Sequence, residues 1–76
     1  MDPNMLEIDK VYKTVKSVKV CFYDQDDCLM ADMVDLQPGT ELTYVGPDAD
    51  DDDGYVFTNT EGTKLCLHDN DLYAIE

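Results

Sequence analysis

The sequence predicts one small, mainly β domain, and three observations carry that prediction. Its apolar residues fall in short runs that alternate every second position, as in Val18-Lys19-Val20-Cys21-Phe22-Tyr23, rather than at helical spacing. Turn-forming residues interrupt these runs roughly every 8 to 12 positions, the rhythm of a small barrel or of paired sheets. The chain has 76 residues, room for one core, and a domain of this size buries only about 60% of the surface its unfolded chain exposes.

The elements follow in order. Residues 1–14 read as an N-terminal arm or short turn, because Pro3, Asn4 and acids surround Met5, Leu6 and Ile8. Residues 15–76 read as the β domain. From Val15 the pattern becomes strand-like, with Val18, Val20 and Phe22 on one face and Lys19, Cys21 and Tyr23 on the other. Asp24-Gln25-Asp26-Asp27 forms a polar turn, and residues 28–34 return as a strand with an irregularity, since their apolar residues do not alternate cleanly. In Leu36-Gln37-Pro38-Gly39-Thr40, Pro and Gly take the two central positions of a type II turn, and residues 41–45 follow as a strand. Asp48, Asp50, Asp51, Asp52 and Asp53 fill a loop that must sit in water, closed by Gly54 before the strand 55–59. A turn at Gly62 leads to strand 64–68, with Leu65 and Leu67 on one face. Residues 69–76 supply a single turn and a short last strand after these five strands.

From Cys21 to Glu76 this order resembles an SH3-like barrel. The resemblance rests on a strand ending Phe22-Tyr23-Asp24, the Leu36-Gln37-Pro38-Gly39-Thr40 turn, an acidic loop before an aromatic-led strand, a hairpin around Gly62, and a single turn before Leu72 and Ile75. It implies a small five-stranded barrel with a short irregular N-terminal arm. Peptide-binding SH3 domains begin the aromatic-led strand with Trp and carry Pro and Tyr in the single turn. This chain has Tyr55 at the first place and Asp69, Asn70 and Asp71 in the turn, a departure from the proline-binding groove.

Composition excludes several function classes. Cys21, Cys28 and Cys66 are odd in number and lack disulfide-rich spacing, and the Met1-Asp2-Pro3-Asn4 start lacks a secretion pattern, so a reducing cytoplasm is expected. No apolar run approaches the ~18 residues of a membrane span. A calcium loop of EF-hand type with Gly54 sixth would begin at Ala49 and end at Thr60, and neither is a ligand. A zinc site built from Cys21, Cys28, Cys66 and His68 has poor ligand spacing. With one serine, one histidine and no arginine, the chain also lacks the parts of a nucleophilic site. No cofactor, metal or catalytic residue is expected.

Charge says more. Eighteen Asp and Glu face five basic residues, for a net charge of −13. Lys10, Lys13, Lys16 and Lys19 give residues 1–19 a net +1 against three acids, whereas residues 20–76 carry fifteen acids and one lysine, a net −14. Such a surface repels phosphate and anionic lipid and attracts basic partners. Asp dominates over Glu, and its short side chain loses less rotamer freedom when fixed in an interface. In size and charge the chain resembles small acidic phage-encoded inhibitors that mimic DNA. That resemblance implies a basic DNA-binding protein as partner, no direct contact with nucleic acid or membrane, and a host-cell cytoplasm as its place of action. The expected contact residues are Asp24, Asp26, Asp27, Asp48, Asp50, Asp51, Asp52, Asp53, Asp69 and Asp71. A symmetric homodimer would double this array. The alternative is an SH3-like module that binds peptides or subunits through Tyr23, Tyr44, Tyr55 and Tyr73, which requires three of them to share one exposed groove.

Overall fold

The computed structural model describes residues 2–26, 28–50 and 52–76; Asp27 and Asp51 of the expected contact set lie outside the described residues. A 3-10 turn at Pro3–Met5 precedes six strands: β1 (Val11–Lys13), β2 (Val18–Tyr23), β3 (Leu29–Leu36), β4 (Glu41–Pro47), β5 (Gly54–Thr58) and β6 (Lys64–His68). A 3-10 helix at Asp69–Ala74 follows. All neighbouring strands are antiparallel and form one open sheet in the order β1-β4-β5-β6-β2-β3. No helical layer covers it, so the sheet wraps its own core, and the 3-10 helix closes that core with Leu72, Ala74 and Ile75.

The mainly β class stands, but the sheet has six strands where the sequence reading expects five. The extra strand, β1, lies inside the segment read as an arm. Val11 pairs with Thr43 and Lys13 with Glu41, while the C-terminal residues meet the other side of β1 through the Thr14–Ile75 bridge. What makes β1 a strand is Tyr12, only 2% exposed. Its buried phenol oxygen accepts the Glu7 N–H at 2.8 Å and donates to the Met5 carbonyl at 3.4 Å, so the preceding turn satisfies the one polar atom that burial strands. The short last strand expected at the C-terminus is instead the 3-10 helix followed by the single bridge at Ile75.

The core follows the alternation. Val18 and Val20 of β2, Leu42 and Tyr44 of β4, Phe57 of β5, and Leu65 and Leu67 of β6 turn inward. Tyr12 meets Phe57 edge-on, their ring centres 6.3 Å apart. The Pro38-Gly39 turn is present, with Gly39 at φ +91°, a conformation that L side chains rarely adopt. It is tied down by Thr14, whose buried hydroxyl donates to the Gln37 carbonyl at 2.8 Å and accepts the Thr40 N–H at 2.9 Å.

The expected irregularity in the second strand is also present. Cys21 pairs with Met33 and Tyr23 with Leu29, so Met30, Ala31 and Asp32 of β3 stand opposite the single Phe22.

Candidate functional site

The acidic groups assemble around β6, from its first residue to its last. At the Lys64 end, the hairpin joining β2 and β3 brings Tyr23, Asp24, Gln25, Asp26 and Met30 against Gly62, Thr63 and Lys64, enclosing an open cleft of about 710 Å³. Beside it, a second cleft of about 300 Å³ lies among Tyr23, Gly46, Pro47, Asp48, Asp50 and Lys64. Tyr23 and Lys64 belong to both, so the two acidic turns flank one shared floor. At the His68 end, the Asp69 N–H donates to the Asp53 carbonyl at 3.1 Å, which joins the 48–53 loop to the 3-10 helix carrying Asp69 and Asp71. Four residue rises separate Lys64 from His68, about 13 Å. The 24–26 and 48–50 groups therefore flank one floor, and Asp69 and Asp71 follow at the far end of the 48–53 loop, the Asp69 side chain bonded to Tyr55. The Tyr23 side chain joins the first two through its bond to Asp48.

Several of these carboxylates are held in place. The Tyr23 hydroxyl donates to Asp48 Oδ2 at 2.5 Å, while Asp48 Oδ1 accepts the Asp50 N–H at 2.9 Å. Asp24 Oδ1 accepts two backbone N–H groups, from Asp26 at 2.8 Å and Cys28 at 3.0 Å, and closes the hairpin tip. Asp71 Oδ2 accepts the His68 N–H at 3.2 Å at the start of the 3-10 helix. Asp26, Asp50, Asp52, Asp53 and Asp69 present their side chains to solvent.

The electrostatics follow from this bonding. The hydrogen bond from Tyr23, then the Asp50 N–H and the nearby His68, hold the Asp48 carboxyl below its ordinary range. Burial, then the bond to Asp48, pushes the Tyr23 phenol far above its ordinary value, and burial followed by a hydrogen bond to Asp69 raises Tyr55. Both phenols stay neutral and act as donors to carboxylates at physiological pH. The face thus combines pinned and solvent-facing negative charges with hydroxyl donors between them.

The tyrosines do not share one exposed groove. Tyr44 lies in the core at 6% exposure, Tyr23 and Tyr55 are half-buried with their hydroxyls engaged by Asp48 and Asp69, and Tyr73 is exposed elsewhere, its ring 5.5 Å from Lys16 Nζ. Cys21 and Cys66 stand opposite each other across β2 and β6, but Cys28 is exposed near the hairpin tip. Among the described residues no three His, Cys, Asp or Glu side chains gather as a metal site, and no helix is long and apolar enough to cross a membrane. The contribution of Tyr23 and Lys64 to the face was not readable from the sequence, where Tyr23 figures only as a possible aromatic contact and Lys64 as the start of a strand. No family model, curated protein or solved structure matches the chain.

Proposed function

We propose that this protein is an acidic binding inhibitor that acts as a DNA mimic, occupying the basic DNA-binding surface of a protein that handles nucleic acid. The observation that supports this reading best is that Asp24 and Asp26 share the floor at Tyr23 and Lys64 with Asp48 and Asp50, with Asp69 and Asp71 tied to the far end of the same loop through Asp53, and that Asp24, Asp48 and Asp71 are pinned by hydrogen bonds. A target evolved for a phosphate ladder gains most from charges that are already ordered, because ordering side chains in the complex costs free energy. The dispersal of the tyrosines favours this reading over a peptide-binding module. The finer fold reading belongs with it: a long β2–β3 hairpin, a β4–β5–β6 meander and a 3-10 helix before the last bridge resemble an SH3-like barrel. So does the reading of a phage-like inhibitor working in a host cytoplasm, with a nuclease, CRISPR effector, polymerase or sliding clamp as the target class.

The test is capture of a partner from lysate at rising salt, with and without competing duplex DNA. Capture should weaken steeply with salt and be displaced by DNA. Replacing Asp50, Asp51, Asp52 and Asp53 together by Asn should weaken capture at least tenfold, while the urea midpoint does not fall. Binding that ignores both salt and DNA refutes the proposal.

A further inference from the structure

We infer that the open edge of β3 is a docking strand for an extended, basic segment of a partner protein, which adds to the sheet as a seventh strand. β3 pairs with β2 alone. Among the described residues, its backbone makes no hydrogen bond to any other strand or loop. The outer row of N–H and C=O groups is therefore a template for another chain. Seven of its eight residues are exposed. Four of these are large and apolar: Leu29 at 44%, Met30 at 43%, Met33 at 59% and Val34 at 42%.

Sheet edges are ordinarily guarded by lysine, proline or a bulge. β3 contains neither lysine nor proline. Its irregularity opposite Phe22 interrupts only the half nearest the hairpin tip, leaving Met33 to Leu36 in regular register with Val18 to Cys21. A partner strand meets that stretch.

The sign of the charge selects the occupant. The acidic side chains of β3 are Asp32 and Asp35, with Asp35 opposite Lys19 of β2, and the hairpin tip beyond it carries Asp24 and Asp26. A second copy laid along this edge would bring a net −13 against −13, with aspartates facing or flanking aspartates. In the regular stretch Met33 and Asp35 share one face and Val34 lies on the other; a segment alternating Lys or Arg with apolar residues therefore sets its cations on the face of Asp35 and its apolar side chains beside Val34. This inference rests on the proposed function only for the sign of the partner's charge; the mode of contact is separate.

The experiment is an NMR titration of the ¹⁵N-labelled full chain with a seven-residue peptide alternating Lys and Val. Two controls accompany it: the same peptide with alternate backbone nitrogens methylated, and a Glu-Val counterpart. Shift changes and slowed amide exchange should centre on Met33 to Leu36, and either control should bind at least tenfold more weakly. Met33→Lys, at an exposed position, should weaken binding of the Lys-Val peptide to the same degree without moving the thermal midpoint. Absence of binding at low salt overturns the inference. So does equal binding of the methylated peptide with shifts confined to the 48–53 loop, an outcome that leaves the acidic-face proposal standing. A concentration-dependent dimer whose contacts map to β3 also overturns it, by giving the edge to a second copy. If the peptide adds to β3 but no DNA-displaceable partner is captured, the mimic reading fails alone.

Discussion

Tyr23→Phe removes one oxygen and with it the link between the two acidic turns. The lost bond runs from a half-buried hydroxyl to an ionised carboxylate at 2.5 Å. Hydrogen bonds to charged groups contribute about 1.5–3 kcal/mol. Asp48 is half-buried and partly screened by water, so the low end applies, about 1–1.5 kcal/mol. In a domain of this size that loss lowers the melting temperature by roughly 5–10 °C. The pH dependence identifies the bond. Asp48 has its carboxyl pKa lowered in the folded state, so its stabilisation is whole above the unfolded value of about 3.9 and is lost as pH falls through the native value. Tyr23 has its phenol pKa raised, so its stabilisation is whole below about pH 10 and is lost as the pH rises above that, where the unfolded phenol ionises first. Urea unfolding of both proteins from pH 3 to 11 should therefore show a constant gap between about pH 5 and 9 that closes toward both extremes, with unchanged m. A gap that is absent at pH 7, or one that stays flat across the whole range, refutes the role given to this bond.

Thr14→Val should cost about 1–3 kcal/mol in urea unfolding, because it leaves the Thr40 N–H without its acceptor, while the Gln37 carbonyl keeps the Thr40 hydroxyl; Thr14→Ser should cost much less. Gly39→Ala should cost about 1–2 kcal/mol for backbone conformation alone, since φ is +91° and an added Cβ meets nothing within 4 Å. Raising NaCl from about 0.02 to about 0.3 M should raise the thermal midpoint, as screening relieves self-repulsion among the acids, while weakening capture of a basic partner. A midpoint that falls with salt over that range would mean that attractive pairs, not repulsion, dominate the surface.

Much of the fold was legible because its signals are local. Pro38-Gly39 states its turn in two residues, Leu65 and Leu67 mark the inward face of β6, and the broken alternation of residues 28–34 announces the irregularity opposite Phe22. β1 was not legible. Three residues are too few to show a period, and the strand depends on Tyr12 finding polar partners at Met5 and Glu7. The C-terminal segment misleads for a similar reason: Leu72, Ala74 and Ile75 are all buried, a spacing that suits a tight 3-10 turn over a core more than a strand. For the site, composition pointed to the carboxylates, since like charges must be solvated wherever they fall. Their convergence needed tertiary structure, because the Tyr23–Asp48 bond joins residues 25 apart in sequence.

The carboxylates of this face divide into two kinds with different consequences. Asp24, Asp48 and Asp71 each close a turn by accepting hydrogen bonds, so their positions are set by the same bonds that shape the backbone. Neutralising any of them changes a turn as well as a charge, and a loss of binding in such a variant has two explanations. Asp50 and Asp52 stand exposed in the loop beside the pinned Asp48, and their charge contributes to the field without closing the hairpin tip or the 3-10 helix. Replacement of the loop acids therefore separates electrostatics from folding, whereas replacement of Asp24 measures both at once. The fold tolerates this density of fixed charge because the inward side chains of β2, β4, β5 and β6 build the core on the other face of the sheet. Repulsion among the acids is thus borne by solvent-facing turns, and the free energy it costs is recovered when a basic partner neutralises them, which is the physical reason for a small protein to keep so acidic a face.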